Sequence, residues 1–168
     1  MVAQSFDSLA FPVDKGERYA ALALEIDAVI EGEGNRVARM ATVAAMLAQT
    51  FEAFIWTGFY VVDPDRPGEL VIGPYQGRLG CLRIAIGKGV CGTAAARGET
   101  VVVPDVEAFP GHIVCDSRSR SEIVAPVFGP GGDLIGVLDI DSAELQAFDD
   151  VDAAALEGIL RQAFGTRR

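Results

Sequence analysis

The sequence predicts an α+β fold in which helices at both ends of the chain flank a central antiparallel sheet of about six strands. Two patterns indicate this fold. Apolar residues recur at helical spacing over residues 15–50 and again over 149–164, whereas residues 53–141 hold short β-branched and aromatic segments separated by turns. With 168 residues, half of them apolar, the chain is expected to form one domain over residues 1–168.

The N-terminal region predicts two helices. In the first, apolar residues repeat at intervals of three and four, which places them on one face: Leu22, Ile26, Val29 and Ile30. Two glycines then interrupt the pattern, and Asn35 is a suitable N-cap for a second helix. The apolar stripe of this second helix consists of Met40, Val43, Ala44 and Leu47.

Turn residues divide the middle of the chain into predicted strands and one short helix. The strands at 53–62 and 69–72 are joined by a turn with two prolines, so we expect an antiparallel hairpin. The next segments are a strand at 82–86, a helix at 90–97, and strands at 100–103, 121–128 and 133–140. The last helix is predicted to be capped by Asp149 and to bury Leu156, Ile159 and Leu160.

The charge and hydropathy of the chain argue against two classes of partner. A net charge of −10 without a cluster of Lys and Arg argues against nucleic-acid binding. No apolar stretch reaches the ~20 residues that a membrane span needs, and residues 1–7 lack the pattern of a secretory signal. We therefore expect a cytoplasmic protein whose thiols meet a reducing environment.

Three cysteines, Cys81, Cys91 and Cys115, lie in the glycine-rich middle third of the chain. In a reducing compartment, cysteine pairs are usually redox-active, catalytic or bound to a metal. An odd number of thiols suits a reactive set, with one nucleophile and one or more resolving partners, better than a structural framework. The alternative is that each cysteine is a small buried apolar residue, which is common for free cysteine.

Asp139 and Asp141 end a strand whose preceding residues are almost all apolar. Side chains alternate along a strand, so the two carboxyls project from one face. Neighbouring buried carboxylates repel each other, and we interpret the pair as a pocket wall that meets a cation or holds one carboxyl protonated. The alternative is that the strand ends there and both side chains are solvated. Glu122 opens another apolar strand and, taken alone, is explained as a surface charge.

Trp56 and Tyr60 are predicted to share one face of the first strand, with Gly58 between them. The glycine leaves space beside the two rings, and Trp and Tyr suit the walls of a small-ligand site. Ordinary core packing on a sheet face explains the same pattern equally well.

Residues 87–92 match the G-x-G-x-x-G pattern of dinucleotide sites. The predicted hairpin disagrees with the parallel βαβ unit that such a site needs. We interpret the segment as a tight turn that places Cys91 at a helix start, where the helix dipole favours the thiolate.

His112 and the cysteines lack the close C-x₂-C spacing of structural zinc sites, so we predict no metal ligand set. A Cys115–His112 pair for acyl transfer lacks an evident third residue to orient the imidazole. His112 is therefore expected to position a loop or to lie at a pocket rim.

Seven segments in order along the chain resemble the free methionine-(R)-sulfoxide reductases, which are single-domain enzymes of the GAF fold. They are EGEGN at 31–35, WTGFY at 56–60, GPYQG at 73–77, GKGVCGTA at 87–94, GHIVCD at 111–116, SEIV at 121–124 and GVLDIDS at 136–142. The resemblance covers about residues 19–160 and includes the three cysteines and the three acids. It implies a GAF-like fold and the reduction of free L-methionine (R)-sulfoxide to methionine without a cofactor.

By this resemblance, Cys115 is the nucleophile, Cys81 the main resolving cysteine and Cys91 a second or alternative partner. The substrate pocket would be formed by Trp56, Tyr60, Glu122, Asp139 and Asp141. Attack by the Cys115 thiolate on the sulfoxide sulfur would give a sulfenic acid, which a second thiol converts into a disulfide. Thioredoxin is the expected reductant, and a homodimer is expected from the family and the amphipathic terminal helices.

One of the three acids would protonate the sulfoxide oxygen and the others would bind the ammonium group of a free amino acid. The residues alone do not assign these tasks. The alternative function is a non-catalytic GAF sensor that binds a small ligand or chromophore in the same pocket. Attachment of a bilin typically uses a Cys followed by His, whereas here Asp116 follows Cys115.

Overall fold

The computed structural model describes residues 11–165, which form a six-stranded antiparallel sheet with helices on both faces. The helices are α1 (Lys15–Val29), α2 (Arg36–Thr50), α3 (Gly89–Arg97) and α4 (Asp150–Phe164), and a short 3₁₀ helix spans Val106–Ala108. The strands are β1 (Phe54–Val62), β2 (Glu69–Gln76), β3 (Arg83–Ala85), β4 (Val101–Val103), β5 (Ser121–Phe128) and β6 (Leu134–Ser142). The strand order is β3-β2-β1-β6-β5-β4, so the predicted α+β fold is confirmed.

The helix caps are set by local sequence. The Asn35 side chain accepts a hydrogen bond from the Ala38 N–H at 3.1 Å and begins α2 as predicted. Asp149 caps α4, and Asp152 returns a bond to the Asp149 N–H, which completes a capping box. In both helices, side-chain hydrogen bonds to backbone N–H groups stabilise the first turn.

One residue of the predicted stripe on α1 is not buried. Val29 is 57% exposed, whereas Ile26 and Ile30 lie in the core. The α-helix ends at Val29, and Ile30 occupies the buried position four residues after Ile26. The prediction for Val29 is therefore wrong. Tyr19, which the apolar pattern did not include, is buried, and its hydroxyl donates to Asp152 at 2.9 Å.

The sheet separates two apolar layers. On one face, α1, α2 and α4 cover side chains such as Phe59 and Leu138. On the other face, the shorter α3 packs against Tyr60, Val124 and Val137. Residues 59 and 60 of β1 thus point to opposite layers, as strand alternation requires. The layer under α3 is the thinner one, and it carries the candidate site.

The sheet register brings the predicted site residues onto neighbouring strands. Strand β6 pairs with β1 on one side and β5 on the other and continues to Ser142, two residues beyond its predicted end. Asp141 lies opposite Trp56 on β1 and opposite Glu122 on β5, and Asp139 lies opposite Gly58. The alternative in which both aspartates follow the end of the strand is therefore wrong.

No helix within residues 11–165 is long and apolar enough to cross a membrane.

Candidate active site

A small cavity of about 20 Å³ lies between α3, the ends of β5 and β6, and the loop that precedes β5. Its lining residues are Ile84, Gly89, Cys91, His112, Ile113, Cys115, Ser119, Glu122, Asp139 and Asp141. The structure thus brings two of the predicted cysteines, all three predicted acids and His112 to one place. These residues come from segments spread over more than 50 positions of the sequence, which only the fold connects.

The acid cluster, formed by Glu122, Asp139 and Asp141, lines this cavity. Glu122 and Asp139 are 5% and 6% exposed, and burial raises the pKa of each carboxyl well above its usual range. Repulsion from Asp141 adds to both shifts. Burial also raises the pKa of Asp141 itself, from 3.8 to about 6. Burial and mutual repulsion therefore favour the protonated form of Glu122 and Asp139 more strongly than that of Asp141.

Cys91 is buried beside the acid cluster. Its side chain is 2% exposed, and its Sγ lies 4.0 Å from Glu122 Oε1. Burial, followed by the charges of Asp139 and Glu122, raises the pKa of the Cys91 thiol well above its usual range. The predicted helix start is present, because α3 begins at Gly89, but the predicted thiolate is wrong. Desolvation and two nearby acids outweigh the helix dipole at this position.

Cys81 and Cys115 form a disulfide that closes one side of the cavity. Their Cα atoms are 5.4 Å apart, although 34 residues separate them in the sequence. Cys115 is exposed and Cys81 is half-buried, so the bond is accessible from outside. Because these two sulfurs bond to each other, they are not ligands of a zinc site with His112 in this structure.

The two predicted aromatic residues stack beside the cavity without lining it. The ring centroids of Trp56 and Tyr60 are 5.7 Å apart, and Trp56 Nε1–H donates to the carbonyl of Arg78 at 3.0 Å. A Cβ at Gly80, next to Cys81, would lie 3.2 Å from the Trp56 ring and 3.1 Å from the Tyr60 hydroxyl. The loop that carries Cys81 therefore covers these two rings in the disulfide form.

The space left by Gly58 is occupied by aromatic side chains of the protein. A Cβ at Gly58 would lie 2.7 Å from the Trp56 ring and 2.3 Å from the Cβ of Tyr75. Tyr75 pairs with Gly58 across β1 and β2, and its ring stacks on Trp56 with centroids 5.4 Å apart. Sequence reasoning gave Tyr75 no role of its own, because the contact depends on the register of the hairpin.

His112 and Ser119 complete the lining. His112 Nε2 lies 3.6 Å from Glu122 Oε2, so its predicted position at the rim of a pocket is confirmed. Ser119 is buried beside Asp141, and nothing in the sequence distinguished it from the other serines of its loop.

Known proteins similar to this chain carry the same architecture. "GAF domain-containing protein A" of Dictyostelium discoideum is 48% identical over 147 residues, which cover 88% of this chain and 90% of that protein. The free methionine-R-sulfoxide reductase of Escherichia coli is 41% identical over 150 residues, which cover 89% and 88%. The free methionine-R-sulfoxide reductase of Neisseria meningitidis, solved by X-ray in complex with its substrate, is 46% identical. It matches with a TM-score of 0.88 over 97% of this chain and 93% of that one.

The family model of the GAF domain matches residues 35–164, which include all six strands and helices α2 to α4. The fold and the site together define a GAF-domain protein with a disulfide beside a buried acidic cavity. Within that class, the chain belongs to the free methionine-R-sulfoxide reductase family.

Proposed function

We propose that this protein reduces free L-methionine (R)-sulfoxide to methionine by thiol chemistry at Cys115. The observation that carries the proposal is the Cys81–Cys115 disulfide, which closes a cavity lined by three carboxyls. In the reduced protein, the Cys115 thiolate attacks the sulfoxide sulfur, and the oxygen, once protonated, passes to Cys115 as a sulfenic acid. Cys81 then displaces water from that sulfenic acid. Two thiols and one sulfoxide thus give one disulfide, one methionine and one water.

The acid cluster supports a division of tasks that the sequence left open. Burial raises the pKa values of Glu122 and Asp139 well above their usual range, which favours the protonated form that can donate to the sulfoxide oxygen. Asp141, with a pKa of about 6, is mostly ionised at pH 7. We assign Asp141 to the ammonium group of the substrate. A peptide-bound methionine lacks that charge, which accounts for a preference for the free amino acid.

The size of the cavity implies that the site opens on reduction. A volume of about 20 Å³ accommodates about one water molecule, far less than an amino acid. The loops that carry Cys81 and Cys115 must therefore separate before substrate binds. Movement of Gly80 away from Trp56 and Tyr60 would then expose the two rings to the methyl group of the substrate.

A thioredoxin-type dithiol is the reductant we propose. Exposed Cys115 offers a sulfur that an external thiolate can reach. Apolar side chains next to the two cysteines are also exposed, with Leu79 at 75%, Leu82 at 68% and Val114 at 67%. Such residues suit contact with the apolar surface around a partner's reactive thiol. The homodimer and the cytoplasmic location remain predictions.

The proposal is tested by a stereospecific assay on free and peptide-bound methionine sulfoxide, using both epimers and a dithiol reductant. We expect turnover of the free (R) epimer alone, and activity confined to peptide substrates would refute the assignment. Cys115→Ser should abolish the reaction. The double variant Cys81→Ser/Cys91→Ser is the matched control, because without either resolving partner it should release one equivalent of methionine and leave a sulfenic acid that a trapping reagent labels.

Mass spectrometry after substoichiometric substrate without reductant separates this enzyme from a ligand sensor. The reductase should lose two hydrogens as the disulfide forms, whereas a sensor keeps its mass.

A further inference from the structure

A buried cluster consists of one thiol and two carboxyls, those of Cys91, Glu122 and Asp139. This combination of ligand atoms is not one that sulfoxide reduction requires. One ligand atom from each residue lies within 4.8 Å of the others, and all three side chains are buried. The proposed reduction uses the two carboxyls, and in the disulfide form the Cys91 thiol stays free because Cys115 is bonded to Cys81. We call these three residues the thiol–acid cluster.

A buried oxygen of this cluster lacks a partner. Asp139 Oδ1 has no hydrogen-bond partner among residues 11–165, although Asp139 is almost completely buried. An unsatisfied buried oxygen is unfavourable, and it marks a place where a further ligand is favoured. The adjoining cavity of about 20 Å³ has room for one water molecule or one metal ion, but not for an organic molecule.

The donor set selects a particular kind of ion. A thiolate and carboxylates are ligands of zinc, whereas magnesium and calcium prefer oxygen atoms only. His112 lies next to this donor set without belonging to it: its Nε2 is 3.6 Å from Glu122 Oε2 and its ring lines the same cavity, so it would become a fourth donor by moving closer to the other two residues. A zinc ion lies about 2.0–2.3 Å from each of its ligand atoms. Donor atoms that are up to 4.8 Å apart must therefore move slightly closer together to bind one ion, which side-chain rotation can provide.

We propose that the thiol–acid cluster, with His112, binds Zn²⁺ in the disulfide form of the protein. The thiol and carboxyl protons that the ion displaces pass to the solvent. The ion is an inhibitor and not a cofactor: it holds the carboxyls that the sulfoxide needs, so it must leave before substrate can bind to the reduced protein. Zinc binding is independent of the proposed reductase activity; only its inhibitory effect rests on that activity.

The test uses the full-length oxidised protein, in which Cys91 is the only free thiol of the chain's three cysteines. Co²⁺ is added as a spectroscopic probe, because a cobalt–thiolate bond gives a charge-transfer band in the near ultraviolet that oxygen and nitrogen ligands do not give. We expect one Co²⁺ per chain with this band, and its loss when one equivalent of Zn²⁺ is added. Absence of the band in the oxidised wild type would overturn the proposal.

Variants identify the ligands. Cys91→Ser should abolish the band, and Asp139→Asn, which keeps the side-chain volume, should weaken Zn²⁺ binding measured by calorimetry. Even a change outside the ligand shell costs about 10–100-fold in metal affinity, so loss of a ligand should cost at least tenfold. Asp133→Asn, in the exposed turn before β6, is the matched control and should bind as the wild type does. Unchanged Zn²⁺ affinity in both Cys91→Ser and Asp139→Asn would place the ion elsewhere and refute the site.

Discussion

Replacing Asp141 by Asn should stabilise the folded protein, and the gain should depend on pH. Burial raises the pKa of Asp141 from 3.8 to about 6, so the folded state binds this proton more tightly than the unfolded state does. The Asp141 carboxyl therefore does not lower the free energy of unfolding below pH 3.8. It lowers this free energy increasingly as the pH rises towards 6, and by a constant amount above that pH.

The magnitude follows from the size of the shift. A rise of about two pKa units corresponds to about 3 kcal/mol at about 1.4 kcal/mol per unit. Asp141 is only half-buried by exposed area, so solvent screening reduces the effect, and we expect about 1–3 kcal/mol at pH 7–8.

Urea unfolding of the oxidised protein between pH 4 and pH 8 measures this effect. The free energy of unfolding of Asp141→Asn should match that of the wild type near pH 4 and exceed it at pH 7–8. Asp133→Asn, at an exposed turn position, is the control and should change stability by less than about 0.5 kcal/mol at every pH. A gain that is equal at all pH values, or no gain at pH 8, would show that the reasoning from burial is wrong.

Three further substitutions test the helix layer, the central sheet and the substrate pocket. Tyr19→Phe removes the hydroxyl that donates to buried Asp152 at 2.9 Å, and it should lower the free energy of unfolding by about 1.5–3 kcal/mol in urea titrations. Gly136→Ala would place a Cβ 2.4 Å from the carbonyl oxygen of Tyr60 in the β1–β6 ladder, and it should destabilise by more than about 1 kcal/mol; a wild-type melting temperature would contradict this. Trp56→Phe should raise KM for the free sulfoxide more than it lowers kcat, because the indole serves binding; an unchanged KM would remove Trp56 from the substrate pocket.

Features that depend on nearby residues were predictable from the sequence. The Asn35 cap and the α4 stripe need only a few neighbouring positions, and both are present. Alternation along β1 correctly placed Trp56 and Tyr60 together. The wrong assignment of Val29 also has a local cause, since the pattern offered both Val29 and Ile30 as the next apolar position after Ile26, and Ile30 is the one that is buried.

Features that depend on packing between distant segments were not predictable from the residues alone. The ionisation of Cys91 is set by the burial of α3 against the sheet and by acids from β5 and β6, none of which its neighbours in sequence indicate. The residues also left the pairing of the three cysteines open, and the resemblance to the reductases supplied the roles of Cys81 and Cys115. Tyr75 was missed because its contact with Trp56 depends on the register of β1 and β2.

The two aspartates of the acid cluster lie on β6, whose backbone is bonded to a neighbour along both edges, whereas Cys115 lies in a loop. Amide hydrogens near Asp139 should therefore exchange with deuterium only when most of the domain unfolds, while those near Cys115 should exchange by brief local fluctuations. The loop that carries the disulfide can thus move while the two aspartates on β6 keep a fixed geometry. Substitutions in that loop should accordingly leave the positions of these carboxyls unchanged.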